Sequence, residues 1–133
     1  MTYLLDSNIC IYALKNRPPE VLERLRLVGR ETVAVSVITV LELRHGAERS
    51  MDPTVAHQRL DRFLSPLHVV LFDEEAARVG ARIRADLQRR GTPIGDLDML
   101  IAATALARDM TLVTNNLREF ERVVGLRTEN WVA

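Results

Sequence analysis

Cysteine occurs once in the 133 residues, at Cys10, so no internal disulfide can form and the chain suits a reducing cytoplasm. Only Cys10, His45, His57 and His68 could offer sulfur or nitrogen to an ion, which gives no basis for a structural zinc site. No apolar run approaches the roughly 18–20 residues that a membrane-crossing helix needs. The opening Met-Thr-Tyr-Leu-Leu lacks a basic segment and stops at Asp6, so no signal peptide is expected. An excess of either charge is also missing, with 18 basic against 18 acidic residues. A uniformly basic nucleic-acid-binding surface is therefore excluded. If the protein binds nucleic acid, a local arginine-lined surface must do it, with an acidic centre cancelling the total. Lysine is nearly absent too: Lys15 is the only one among the 18 basic residues. Arginine is the better bidentate phosphate ligand, but skewed genomic base composition gives the same bias.

What remains is 47% apolar and 27% charged residues, long enough to bury a core without disulfides or metal. Repeats, low-complexity tracts and linkers are missing, so residues 1–133 are expected to form one domain. Short β-rich runs at Tyr3–Leu5, Thr32–Val35, His68–Phe72 and Thr111–Thr114 predict strands. Helices are expected over Ile9–Lys15, Pro19–Val28, Val37–Arg49, Val55–Leu64, Glu74–Arg90, Asp96–Arg108 and Leu117–Val124. Ser36 is placed to cap the third of these. Strands alternating with helices predict a three-layer α/β/α sandwich around a mostly parallel sheet, with ligands bound outside the carboxyl ends of its strands.

Three carboxylates stand out because their neighbours cannot satisfy them. Asp6 ends the first strand. Glu42 is the only charged residue in Val37-Ile38-Thr39-Val40-Leu41-Glu42-Leu43, and Asp98 opens a helix too apolar to be exposed. Helical partners lie three and four residues away. Glu42 meets Ile38, Thr39, His45 and Gly46 there, and Asp98 meets Ile94, Gly95, Ile101 and Ala102. Neither finds an Arg or Lys, and a buried carboxylate needs pairing, hydrogen bonds or a metal. Plainer roles exist for each. Asp6 or Ser7 could cap the first helix, and Asp96 fits the N-cap of the Asp96 helix. Glu42 could pair with a distant Arg. Asn116-Leu117-Arg118-Glu119 has capping-box spacing, with Arg122 three residues beyond Glu119. Asp6, Asp98 and Glu119 nonetheless all fall near strand or helix ends, where such a sheet presents its ligands.

Other chemistries find no support. The three histidines have no ligand spacing, and neither G-x-S-x-G, G-x-x-x-x-G-K-[ST] nor G-x-G-x-x-G occurs. A receiver-type signalling domain needs a lysine near a late strand, whereas Lys15 lies in the first helix. A haloacid-dehalogenase-like phosphatase needs Asp-x-Asp where this chain has Asp6-Ser7-Asn8.

Four stretches together carry a specific resemblance. They are Leu4-Leu5-Asp6-Ser7-Asn8; Ser36 to Leu43 with Gly46-Ala47; Gly91 to Asp98 with Leu100-Ile101-Ala102-Ala103; and Val113-Thr114-Asn115-Asn116-Leu117-Arg118-Glu119-Phe120. The chain resembles PIN-domain ribonucleases of the VapC toxin type. That resemblance implies Mg²⁺-dependent RNA cleavage, with Mn²⁺ able to substitute, and a role as the toxin of a type II toxin–antitoxin pair. It matches Asp6, Glu42 and Asp98 to the family's first three acids and Ser7 to its small hydroxyl residue. Asp6 and Asp98 are the expected metal ligands. The fourth acid departs from the family pattern, because Asn116 fills the Thr-x-Asp position and Glu119 supplies the charge before Phe120. A VapB-type antitoxin, a homodimer, a larger assembly with the antitoxin and a structured RNA such as tRNA are the partners implied. The antitoxin's C-terminal segment would cover a groove supplied by Ile9, Ile11, Tyr12 and Leu14 with the Pro19–Val28 helix. A catalytically silent PIN-like binding module is the alternative, since Asn116 lacks a charge.

Overall fold

The computed structural model describes residues 2–132. Short runs of aliphatic and β-branched residues become strands β1 (Tyr3–Leu5), β2 (Val33–Ser36), β3 (His68–Val70) and β4 (Thr111–Val113), joined by an unanticipated β5 (Thr128–Glu129). All pairings are parallel and the order is β3-β2-β1-β4-β5. The expected mostly parallel sheet is thus wholly parallel among the described strands.

A parallel sheet must be covered on both faces, and the alternation along each strand supplies two apolar faces. Leu4, Ala34 and Leu112 enter one core, while Leu5, Val33, Val35 and Val113 enter the other. Helices α1 (Ser7–Lys15), α2 (Pro19–Val28), α3 (Val37–Glu48) and α4 (Pro53–Leu64) cover the second face through Ile9, Val21, Leu25, Leu43 and Leu60. The first is covered by α5 (Glu74–Arg90) and α6 (Asp96–Ala107), which add Val79, Ile83, Ile101 and Ala102. These are the three layers that the alternation of elements predicts. Helix α6 has buried residues on nearly every side because α5 packs over it. A Cβ at Gly80 of α5 would sit 3.3 Å from Met99 Sδ and 3.4 Å from Ala103 Cβ, so glycine permits that approach.

Element ends follow the capping chemistry. The Ser36 hydroxyl accepts the Thr39 N–H at 3.0 Å, as expected for the start of α3. Asp52 caps α4 and Pro53 takes its first position, so this helix starts two residues before the apolar pattern does. The last helix, α7 (Leu117–Phe120), stops short of the expected Val124. Phe120 and Val123 both drop into the core, the chain tightens into successive turns, and Gly125 at φ 85° turns it toward β5.

The strand order fixes where a ligand can sit. From β1 the chain moves outward through β2 and β3, then returns to add β4 and β5 on the other side. The direction of winding therefore reverses between β1 and β4, and a crevice opens beyond their carboxyl ends.

Candidate active site

Asp6 follows β1 directly at that reversal point. It is 6% exposed and its Oδ1 accepts the Ile9 N–H at 2.9 Å, so it caps α1. The register sets Leu5 beside Val113, which brings Asp6 alongside Thr114. The Asp6 N–H donates to the Val113 carbonyl at 3.0 Å, which seats Asp6 beside Thr114. Helix α3 leaves β2 next door and carries Glu42, whose Oε1 accepts the Ser7 hydroxyl at 2.5 Å. The first turn of α6 supplies Asp98. Glu119, on α7, accepts the Gly95 N–H on Oε1 at 2.9 Å and the Asn116 amide on Oε2 at 2.5 Å.

The four acids form one electrostatic group. Burial pushes the Asp6 pKa up and the Glu42 charge adds to this, against the opposing effect of the Thr114 hydroxyl and the Ile9 N–H. The Asp98 carboxyl is pushed up to about 7, first by burial, then by Glu119, with Glu42 and Asp6 adding further repulsion. Among the described residues, no ion pair with Arg, Lys or His involves any of the four. The partner of Glu42 is thus the Ser7 hydroxyl, not a distant Arg.

Two local roles expected from spacing are corrected. The N-cap of α6 is Gly95, not Asp96. The Gly95 N–H is taken by Glu119, an acceptor 24 residues away, and Asp96 turns outward to Arg84 at 2.7 Å. Asp96→Ala should therefore cost no more than about 1 kcal/mol, the range of exposed ion pairs, and leave RNA cleavage within about twofold of wild type. A thermal melt and a cleavage assay check both. Asn116 and Glu119, likewise, do not form a capping box, because the Asn116 side chain caps nothing and bonds Glu119 itself. Arg122 reaches the Pro93 carbonyl, not Glu119.

Thr114 is the site residue that sequence reasoning passed over. It is fully buried at the end of β4, where its hydroxyl also accepts the Asn116 N–H at 2.9 Å. A threonine ending the strand next to β1 was the available signal.

Among the described residues, no three His, Cys, Asp or Glu side chains are gathered tightly enough to hold an ion as they stand. The donor set still fits a hard divalent cation. It consists of carboxylate oxygens, and its uncompensated negative charge adds to burial in raising Asp98.

The residues between Tyr3 and Leu126 match the model of the PIN domain family. The chain belongs to the PIN-domain family, as a ribonuclease of the VapC type. It is 43% identical to the tRNA(fMet)-specific endonuclease VapC of Salmonella typhimurium over 131 residues, 98% of each chain. Ribonuclease VapC2 of Haemophilus influenzae is 45% identical over 132 residues, 99% of each. The DNA-bound VapBC structure from Salmonella typhimurium superposes with a TM-score of 0.93 at 43% identity, covering 98% of each chain. VapBC2 from Rickettsia felis, bound to a promoter DNA fragment, gives 0.92 at 38% identity, covering 98% of this chain and 99% of that one. Nucleases of this family depend on a divalent metal.

Proposed function

We propose that this protein is the toxin of a type II toxin–antitoxin pair, cleaving a structured RNA, tRNA in the first instance, with Mg²⁺ or Mn²⁺ at the acidic crevice. The observation that carries the reading is the convergence of Asp6, Glu42, Asp98 and Glu119 at the reversal between β1 and β4, where the other three charges all raise Asp98. Asp6 and Asp98 hold the ion from the end of β1 and the start of α6. When bound, Mg²⁺ there supplies charge stabilisation for a phosphodiester and makes water at the site more acidic. Ser7 fixes one oxygen of Glu42, leaving the other to accept a proton from the attacking water. Glu119 completes the cluster, with Asn116 and Ser7 in support.

Water rather than the RNA 2′-hydroxyl is the nucleophile in this reading, since among the described residues no histidine is hydrogen-bonded to any of the four acids. His57 is engaged on α4 by Arg44 and Glu48, while His45 and His68 are exposed. In-line attack leaves a 5′-phosphate and a 3′-hydroxyl. The test is cleavage of a tRNA transcript with and without EDTA, followed by ligation of the fragments. Loss of cleavage in EDTA, recovery on adding Mn²⁺, and ligatable 5′-phosphates are expected. Cleavage that persists in EDTA, or ends in 2′,3′-cyclic phosphate, overturns the mechanism. No cleavage of any RNA with Mg²⁺ or Mn²⁺ present would favour the silent binding module.

The names of the VapBC relatives support a VapB-type antitoxin as the partner, and the family resemblance extends the proposal to a homodimer within a larger assembly with the antitoxin. Ile11 and Tyr12 are half-buried and Leu14 is 37% exposed, so they can line a groove for its C-terminal segment, whereas Ile9 is wholly core. One sheet runs through β1 to β5 and the family match spans residues 3–126, which supports a single domain over 1–133. No described helix is long and apolar enough to cross a membrane, and we place the protein in the cytoplasm, where its RNA substrate is.

A further inference from the structure

We infer that Asn116 is a positioning residue whose amide N–H₂ group, and not its carbonyl oxygen, is what the site requires. The inference rests on the reading of Asp6 and Asp98 as the ion's ligands. The two reach the crevice on different elements, β1 with its helix and α6, so something must set their separation. A path of hydrogen bonds and short backbone steps does this. The Asp6 N–H donates to the Val113 carbonyl at 3.0 Å, and the hydroxyl of the next residue, Thr114, accepts the Asn116 N–H at 2.9 Å. The Asn116 amide donates to Glu119 Oε2 at 2.5 Å, and Glu119 Oε1 accepts the N–H of Gly95, the residue that caps α6. Asp98 lies three residues further along. The path thus runs from one ligand to the start of the helix that bears the other, through the β4–α7 turn.

Donor and acceptor roles along the path are not interchangeable. Glu119 already stands against Asp98, and its two oxygens take two N–H donors. A carboxylate at position 116 would turn the donor into a third negative charge facing Glu119 and break the path there. This accounts for asparagine at a position where the resemblance leads one to expect aspartate. A side chain that orients a metal ligand through hydrogen bonds typically changes metal affinity about 10–100-fold when lost.

The experiment is Mn²⁺ titration by calorimetry on the full chain, with a thermal melt of each variant, for N116D, N116A, E119Q and N116D/E119Q. Asn116 is exposed in a short turn, so the variants are expected to fold. N116D and N116A should each weaken Mn²⁺ binding about tenfold. In the double variant, the glutamine side chain at position 119 keeps an oxygen for Gly95 and donates its own amide to the new carboxylate at position 116, which restores the path with its polarity exchanged. Its affinity should return to within about threefold of wild type, and the double-variant cycle should show strong coupling. If N116D binds Mn²⁺ as tightly as wild type or more tightly, position 116 works as a ligand and the inference is overturned. Failure of the exchange to rescue N116D also overturns it. Should N116D unfold, N116A decides alone, with unchanged affinity counting against the inference. If the wild-type protein binds no Mn²⁺, or binds it no better than D98N, it is the ligand assignment to Asp6 and Asp98 that fails.

Discussion

Asp98→Asn should lower RNA cleavage at least about 100-fold, about 2.7 kcal/mol in barrier, and yet raise the melting temperature of the metal-free protein at pH 8. Folding pushes the Asp98 pKa from 3.8 up to about 7 through burial and the neighbouring acids. Between those values the folded protein keeps a proton that the unfolded chain releases. Stability must therefore fall as pH rises through this window, with the full deficit present above about 7. Asparagine removes the titration. In EDTA the wild type and Asp98→Asn should melt together near pH 4 and diverge as pH rises, with the variant higher. Mn²⁺ should raise the wild-type melting temperature at pH 8 and leave the variant nearly unmoved, because ligand binding stabilises only the state that binds. A variant that melts lower than wild type at pH 8, or that cleaves normally, would show Asp98 to be a structural acid.

Much of this site can be read from the sequence because its acids fail a local test. Asp98 and Glu42 have no cationic neighbour at helical spacing, and the structure gives them none from afar among the described residues. What spacing cannot show is any hydrogen bond whose partner arrives from another element. Ser7 meets Glu42 only because β1 and β2 are adjacent. Thr114 meets Asp6 only through the β1–β4 register. Glu119 takes the N–H of Gly95, which shifts the α6 cap away from Asp96. The same division holds for the fold. The strands β1 to β4 are written as apolar runs, whereas β5 is two residues, Thr128 and Glu129, with no pattern of its own. It exists because β4 offers an open edge and because Trp131 buries itself beside Tyr3, edge to face at 5.3 Å. Helix α7 is similarly decided by tertiary contacts, since nothing local distinguishes its end at Phe120 from an end at Val124.

Asp6 carries two roles that its position makes inseparable in the wild type and separable by substitution. It caps α1 through Ile9, and it is the first acid of the cluster. Both asparagine and alanine remove the charge, but asparagine keeps an oxygen for the cap. Each should reduce cleavage at least about 100-fold. The two should differ in stability by about 0.5–2 kcal/mol in favour of asparagine, the usual worth of an N-cap, and that gap should not change with pH because neither side chain titrates. Against the wild type the pH matters. The folded pKa of Asp6 is raised above 3.8, chiefly by burial, so its ionised form disfavours folding and the deficit grows as pH rises from 3.8 through the folded value. Asp6→Asn should therefore match wild type in strong acid and exceed it at neutral pH in EDTA, while Asp6→Ala follows a parallel curve displaced downward. Melts of the three proteins across pH 3–8, paired with cleavage assays in Mn²⁺, separate the roles. If Asp6→Asn cleaves RNA as wild type does, the cap is the whole function of this residue and the ion must be held without it.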